Sequence, residues 1–199
     1  MSKADIDKAA RAIEDFLSAV GASAETDPEL VGTGRRVAEA FAFDLLAGYA
    51  MDPSEILRET MPSSTSGMVV VSGIATTIVC PHHLMPGVGV VHVGYSPSER
   101  VVGFGAIGRL IDCFSRRLTL QETFGQAVAD ALVAEIGARG AACYVDMEPT
   151  CFTARGEKRH GARVVTSAYA GTFINDASAR QEFIALIGSR ATNDGTSAR

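Results

Sequence analysis

A chain of 199 residues with 47% hydrophobic and 21% charged side chains, 20 glycines, 7 prolines and no tryptophan has the balance of a folded globular protein, which excludes disorder as its main state. Eighteen Lys and Arg against 23 Asp and Glu leave a formal charge of −5, so the overall field repels nucleic acid and an anionic ligand needs a local cluster of cations. No stretch approaches the ~18 uninterrupted apolar residues of a membrane span, and four scattered cysteines behind a charged, amphipathic start point to a soluble protein of a reducing cytoplasm.

Ile6, Ala9, Ala10, Ile13, Phe16, Leu17 and Val20 recur at helical spacing opposite Asp7, Lys8, Arg11, Glu14 and Asp15, which predicts an amphipathic helix closed by Gly21. Asp27-Pro28 reads as the start of a second helix ending near Gly48, and residues 53–59 as a short third. The uncharged, breaker-rich run 62–67 is the natural boundary between a helical segment (1–62) and a second unit (63–190). Residues 68–79 and 88–95 are rich in Val, Ile and Thr, and a turn at 96–99 leads into Val101-Val102; these predict antiparallel strands. Helical spacing returns over 105–114 and 120–136, the latter ending at Gly137. Ala141, Cys143, Val145 and Met147 then alternate with Ala142, Tyr144, Asp146 and Glu148, residues 163–173 are again strand-like, residues 176–188 form a terminal helix, and 191–199 a flexible tail. This order lacks the regular alternation of a parallel doubly wound sheet, so the expected class is α+β, an antiparallel sheet with helices on one face.

Chemistry concentrates at Cys80-Pro81-His82-His83, directly after a predicted strand and before the turn-like Leu84-Met85-Pro86-Gly87. From a tight turn a thiolate and an imidazole can converge on one ion, and sulfur with nitrogen suits Zn²⁺ best. The same residues are compatible with a buried cysteine beside two incidental histidines. A catalytic zinc takes about three protein ligands, and Cys151, behind Glu148-Pro149-Thr150 at a strand end, is the candidate for the remaining donor; Cys113 and Cys143 fall on apolar faces and read as core.

Cys80-Pro81-His82-His83-Leu84, Phe114-Ser115-Arg116-Arg117-Leu118 with Gln121-Glu122, Cys151 with Arg155-Gly156, and Val165-Thr166-Ser167 resemble, in order and spacing, the motifs of GTP cyclohydrolase I, and Thr33-Gly34-Arg35-Arg36 resembles that family's Thr-Pro-x-Arg element. The resemblance implies a T-fold, a four-stranded antiparallel sheet with helices on one face, in a homo-oligomer (a decamer) with sites at subunit interfaces. It implies zinc on Cys80, His83 and Cys151, and conversion of GTP to 7,8-dihydroneopterin triphosphate and formate. His82 then serves as acid and base. Glu122 accepts from guanine N1–H and the exocyclic amine while Gln121 completes that edge. Arg36, Arg109 and Arg155 are the phosphate cations, and Arg116 and Arg117 are structural or interface residues.

The chain departs from the family pattern at one motif and three further positions. Where Gly-Leu-Ser-Lys-x-x-Arg is usual, this chain has Gly103-Phe104-Gly105-Ala106-Ile107-Gly108-Arg109; Glu39 stands where many bacterial members have Lys, Pro149 where a second catalytic histidine is usual, and Pro81 where Glu is usual. A lost charge-assisted contact costs about 1.5–3 kcal/mol. His160, in the loop after Arg155, is a candidate to compensate. Three functions are therefore expected alternatives: the GTP reaction itself; a divergent paralogue acting on a less phosphorylated guanine or pterin substrate or stopping at a pyrimidine intermediate; and a zinc-stabilised pterin or nucleotide binder without turnover.

Overall fold

The structure, a computed structural model, describes the backbone of residues 4–194 and the side chains of residues 4–188. Helix α1 (Ile6–Ala19) begins at Asp5, whose carboxylate accepts from Lys8 N–H. The single helix expected from Asp27 to Gly48 is instead broken into a 3₁₀ turn (Pro28–Leu30), α2 (Thr33–Ala40), a π-helical turn (Phe41–Leu45) and a second 3₁₀ turn (Ala47–Ala50). The break falls at Gly32, whose φ of 73° is left-handed. Carbonyls freed there are satisfied by Arg36, which donates to Val31 O at 2.9 Å and Glu29 O at 3.3 Å. Helix α3 (Pro53–Leu57) follows, with Asp52 as its cap and proline in its first turn.

A short ribbon pairs β1 (Thr60–Pro62) with β4 (Arg100–Val102), so the run 62–67 connects β1 to the main sheet. That sheet holds β2 (Val69–Val79), β3 (Pro86–Ser96), β5 (Gly140–Pro149) and β6 (Val164–Gly171) in this order, antiparallel throughout. Helices α4 (Phe104–Ser115) and α5 (Gln121–Ile136) lie between β4 and β5, a one-turn α6 (Thr150–Thr153) follows β5, and α7 (Ala177–Asp194) ends the chain. Helix α7 continues into the segment expected as a tail, of which residues 195–199 lie outside the described residues.

Period-two alternation decides the packing. Ala141, Cys143, Val145 and Met147 of β5 are fully buried against Ile107 and Leu110 of α4 and Phe124, Val128 and Leu132 of α5, which build the main core on one face of the sheet. Their neighbours on the other face, Ala142 and Tyr144, meet Phe183 and Ile187 of α7, which covers one end of that face. Gly94 makes the seat: a Cβ there would stand 2.6 Å from Phe183 Cδ2.

The N-terminal turns dock on the end of α4 through two arginines. Arg117 donates to Gly48 O at 3.1 Å and Met51 O at 3.2 Å and lies against the rings of Phe114 and Tyr49; Arg116 pairs with Asp44 at 3.1 Å and with Asp112 at 3.3 Å. Between α1 and these turns runs an apolar groove of about 660 Å³ that includes Ile13, Phe41, Leu46 and, from the loop after β2, Leu84. No described helix is long and apolar enough to cross a membrane.

Candidate metal centre and adjoining cleft

Two turns meet at one end of the sheet. Residues 80–85 close the β2–β3 hairpin: Val79 and Pro86 are partners, Cys80 N–H donates to Met85 O at 3.0 Å, and Leu84 N–H donates to Cys80 O at 2.9 Å. The loop turns at Leu84, whose φ of 54° is left-handed. Cys151 sits on α6, just past the last β3–β5 pair, Gly87 with Pro149.

This brings one donor atom from each of Cys80, His83 and Cys151 within 4.8 Å of the others, and Cys80 Sγ lies 3.8 Å from His83 Nδ1. Of the adjacent histidines it is His83 that joins the sulfurs. His82 is exposed, its ring centroid 6.1 Å from that of His83 and nearly perpendicular to it. A tetrahedral ion with Zn–S of about 2.3 Å and Zn–N of about 2.0–2.1 Å sets its donors roughly 3.5–3.8 Å apart, so the two thiols and the imidazole fit a zinc ion with little movement. The Cys151 thiol is pushed above the ordinary cysteine value, first by burial and then by the neighbouring Cys80 sulfur, against a smaller opposing effect of Arg155. Two crowded sulfurs of this kind are relieved by a shared cation. Cys113 and Cys143 are fully buried and outside the cluster; burial raises both thiols.

Beside the cluster opens a cleft of about 150 Å³ with an apolar wall of Ile78, Met85, Leu120, Pro149 and Val164, and with Gln121 and Glu122 from the start of α5. Gln121 is 7% exposed, and its amide nitrogen donates to Val145 O at 3.1 Å, Val164 O at 2.8 Å and Thr166 Oγ1 at 3.2 Å. It therefore fastens the first turn of α5 to β5 and β6 and fixes its neighbour, the exposed Glu122, at the rim. The sequence gives no sign of this internal use, which needs strands 24 to 45 residues downstream. Helix polarity favours a carboxylate at that position.

The cations are distributed differently from the expected cluster. Arg155, exposed and just beyond α6, is close enough to act on Cys151. Arg109 is exposed on α4, and Arg36 is held by its own turn; neither lines the cleft of the single chain. Glu39 is bound to Arg35 at 2.9 Å, and Arg35 also reaches Asp7 at 3.0 Å, so its charge is answered on α2. Pro149 does line the cleft, whereas His160 is exposed on the following loop and does not.

A family profile described as GTP cyclohydrolase I matches residues 9–188. The chain is 42% identical over 177 residues to GTP cyclohydrolase 1 of Ralstonia nicotianae, covering 88% of this chain and 84% of that protein. It is 41% identical over 178 residues to GTP cyclohydrolase 1 of Chromobacterium violaceum, covering 89% and 85%. Among solved structures, the archaeosine synthase QueF-Like in its apo form is similar at a TM-score of 0.45 and 19% identity, over 55% of this chain and 97% of that one.

Proposed function

The chain belongs to the GTP cyclohydrolase I family, a family of enzymes, and from that premise we propose that it is a zinc-dependent cytoplasmic hydrolase that opens the guanine imidazole ring, taking GTP and water to 7,8-dihydroneopterin triphosphate and formate. The observation that carries this reading is the convergence of Cys80, His83 and Cys151 at the mouth of a cleft with a carboxylate on its rim. Those three residues would hold the metal, which when bound supplies hydroxide at neutral pH by lowering the pKa of water to ~7.

The chain's own residues do the rest. Glu122 at the rim accepts two hydrogen bonds from guanine N1–H and the exocyclic amine, a pairing that adenine does not offer. Gln121 supports that recognition from behind by holding the start of α5. His82, exposed beside His83, delivers and removes the proton at the ring nitrogen as C8 is attacked and formate departs. Arg155 meets the phosphates next to the donors. Arg36 and Arg109 stand away from the cleft of their own chain, so in this reading they serve phosphate across a subunit boundary and the working form is a homo-oligomer.

One observation favours a second reading. Pro149, which transfers no proton, forms part of the cleft wall, and no described histidine is among the residues that line it. In that case ring opening proceeds and later steps do not, so the chain stops at a pyrimidine intermediate or acts on a less phosphorylated guanine or pterin substrate.

Incubating metal-loaded protein with GTP, guanosine and guanine while following formate and pteridine absorbance separates the two. Pteridine and formate from GTP support the first; formate or ring opening without pteridine, or from another substrate, supports the second. Cys151→Ala should lose metal and activity together, and stoichiometric zinc in that variant overturns the donor assignment. His82→Ala should keep its metal and lose about 10²–10⁴ in turnover. Pro149→His should raise GTP turnover, whereas Ala106→Lys should cost stability, because Ala106 is buried in the main core.

A further inference from the structure

The two donor turns belong to different hairpins and meet at one end of the sheet. The sheet is thin there. Pro86 and Pro149 flank the last β3–β5 rungs, and neither has an N–H to donate to the ladder. Across the same gap the Thr150 hydroxyl donates to Pro86 O at 2.5 Å. Thr150 precedes Cys151, and Pro86 follows Met85, whose carbonyl accepts from Cys80 N–H. Two hydrogen bonds and two covalent links therefore run without interruption from the backbone of one donor cysteine to that of the other.

We propose that Thr150 is a positioning residue of the metal centre, its hydroxyl bridging the Cys80–His83 turn to the Cys151 turn where two prolines have removed the backbone donors. The inference rests on the reading of Cys80, His83 and Cys151 as metal ligands. A threonine suits the task because its β-branch restricts χ1, so the hydroxyl is held towards its acceptor at small entropic cost. Supporting groups of this sort, which touch ligand-bearing segments and not the ion, set the geometry that the donors present before metal arrives.

The test is a cobalt titration of the metal-free full chain, with Co²⁺ alone as the probe and a chromophoric chelator as competitor, following the thiolate-to-cobalt absorption. Thr150→Val keeps the shape and the β-branch and removes the donor. It should weaken cobalt binding about tenfold and alter the visible cobalt spectrum, with far-ultraviolet circular dichroism and melting close to the parent. Thr150→Ser, which restores the hydroxyl, should return affinity and spectrum towards the parent, and comparison of Thr150→Ser with Thr150→Ala gives the same reading if the valine variant folds poorly. A Thr150→Val protein with parental affinity and spectrum, beside a parent that binds cobalt, overturns this inference alone. A parent that takes up no cobalt overturns the donor assignment, and this inference with it.

Discussion

Along the N-terminal helices, Phe16, Val20, Val31 and Phe43 are each more than 60% exposed, and Ala10, Ala38 and Leu57 are the buried apolar side chains among residues 4–57. Along β5 every second side chain from Ala141 to Met147 is fully buried. The two regions are thus held by different forces. The sheet and its two helices form a close-packed layer in which each lost methylene is felt, whereas the N-terminal turns are attached by directed polar contacts, chiefly those of Arg116 and Arg117 to Asp44, Gly48 and Met51. The donor cluster belongs to the sheet region, and that is where a metal centre gains from rigidity.

Substitutions can break this contrast at several levels. The largest stability effect should come from Leu132→Ala, which empties a fully buried site between α5 and the sheet; a loss of about 2–5 kcal/mol is expected, read from the denaturant midpoint at unchanged slope. Arg117→Ala should cost less, about 1.5–3 kcal/mol, because it removes charge-assisted hydrogen bonds and not apolar volume. Its signature is regional: amide exchange should rise over residues 47–57 while β5 stays protected, and a uniform rise over both regions would show that they unfold as one. Smallest should be Arg35→Ala. Its pairs with Asp7 and Glu39 are exposed, so about 0–1 kcal/mol is expected, fading further in salt.

The same contrast separates what is legible in the sequence from what is not. The alternation of Ala141 to Met147 and the helical spacing before Gly137 report local geometry, and β5 and α5 follow them. Cys80 and His83 are legible because a turn brings residues three apart together, and Cys151 because it stands where a strand ends. The interrupted second helix is not legible: Asp27-Pro28 and the following spacing predict continuity, and only the left-handed Gly32 and the backward reach of Arg36 break it. The internal role of Gln121, the pairing of β1 with β4 and the α7 seat at Gly94 all depend on partners distant in the chain. The proposed phosphate cations divide along the same line, since a motif singles out Arg36 and Arg109 but says nothing of their position, and neither lines the cleft of its own chain.

Leu84 occupies both regions at once. A leucine in the left-handed conformation carries a backbone penalty of about 1–2 kcal/mol, and the surrounding contacts must offset it: the bond to Cys80 O on one side and the apolar groove against α1 on the other. The hinge of the histidine-bearing loop is therefore anchored in the less densely packed half of the molecule. A substitution that repacks that groove is expected to disturb the loop that carries His83, which immediately precedes Leu84.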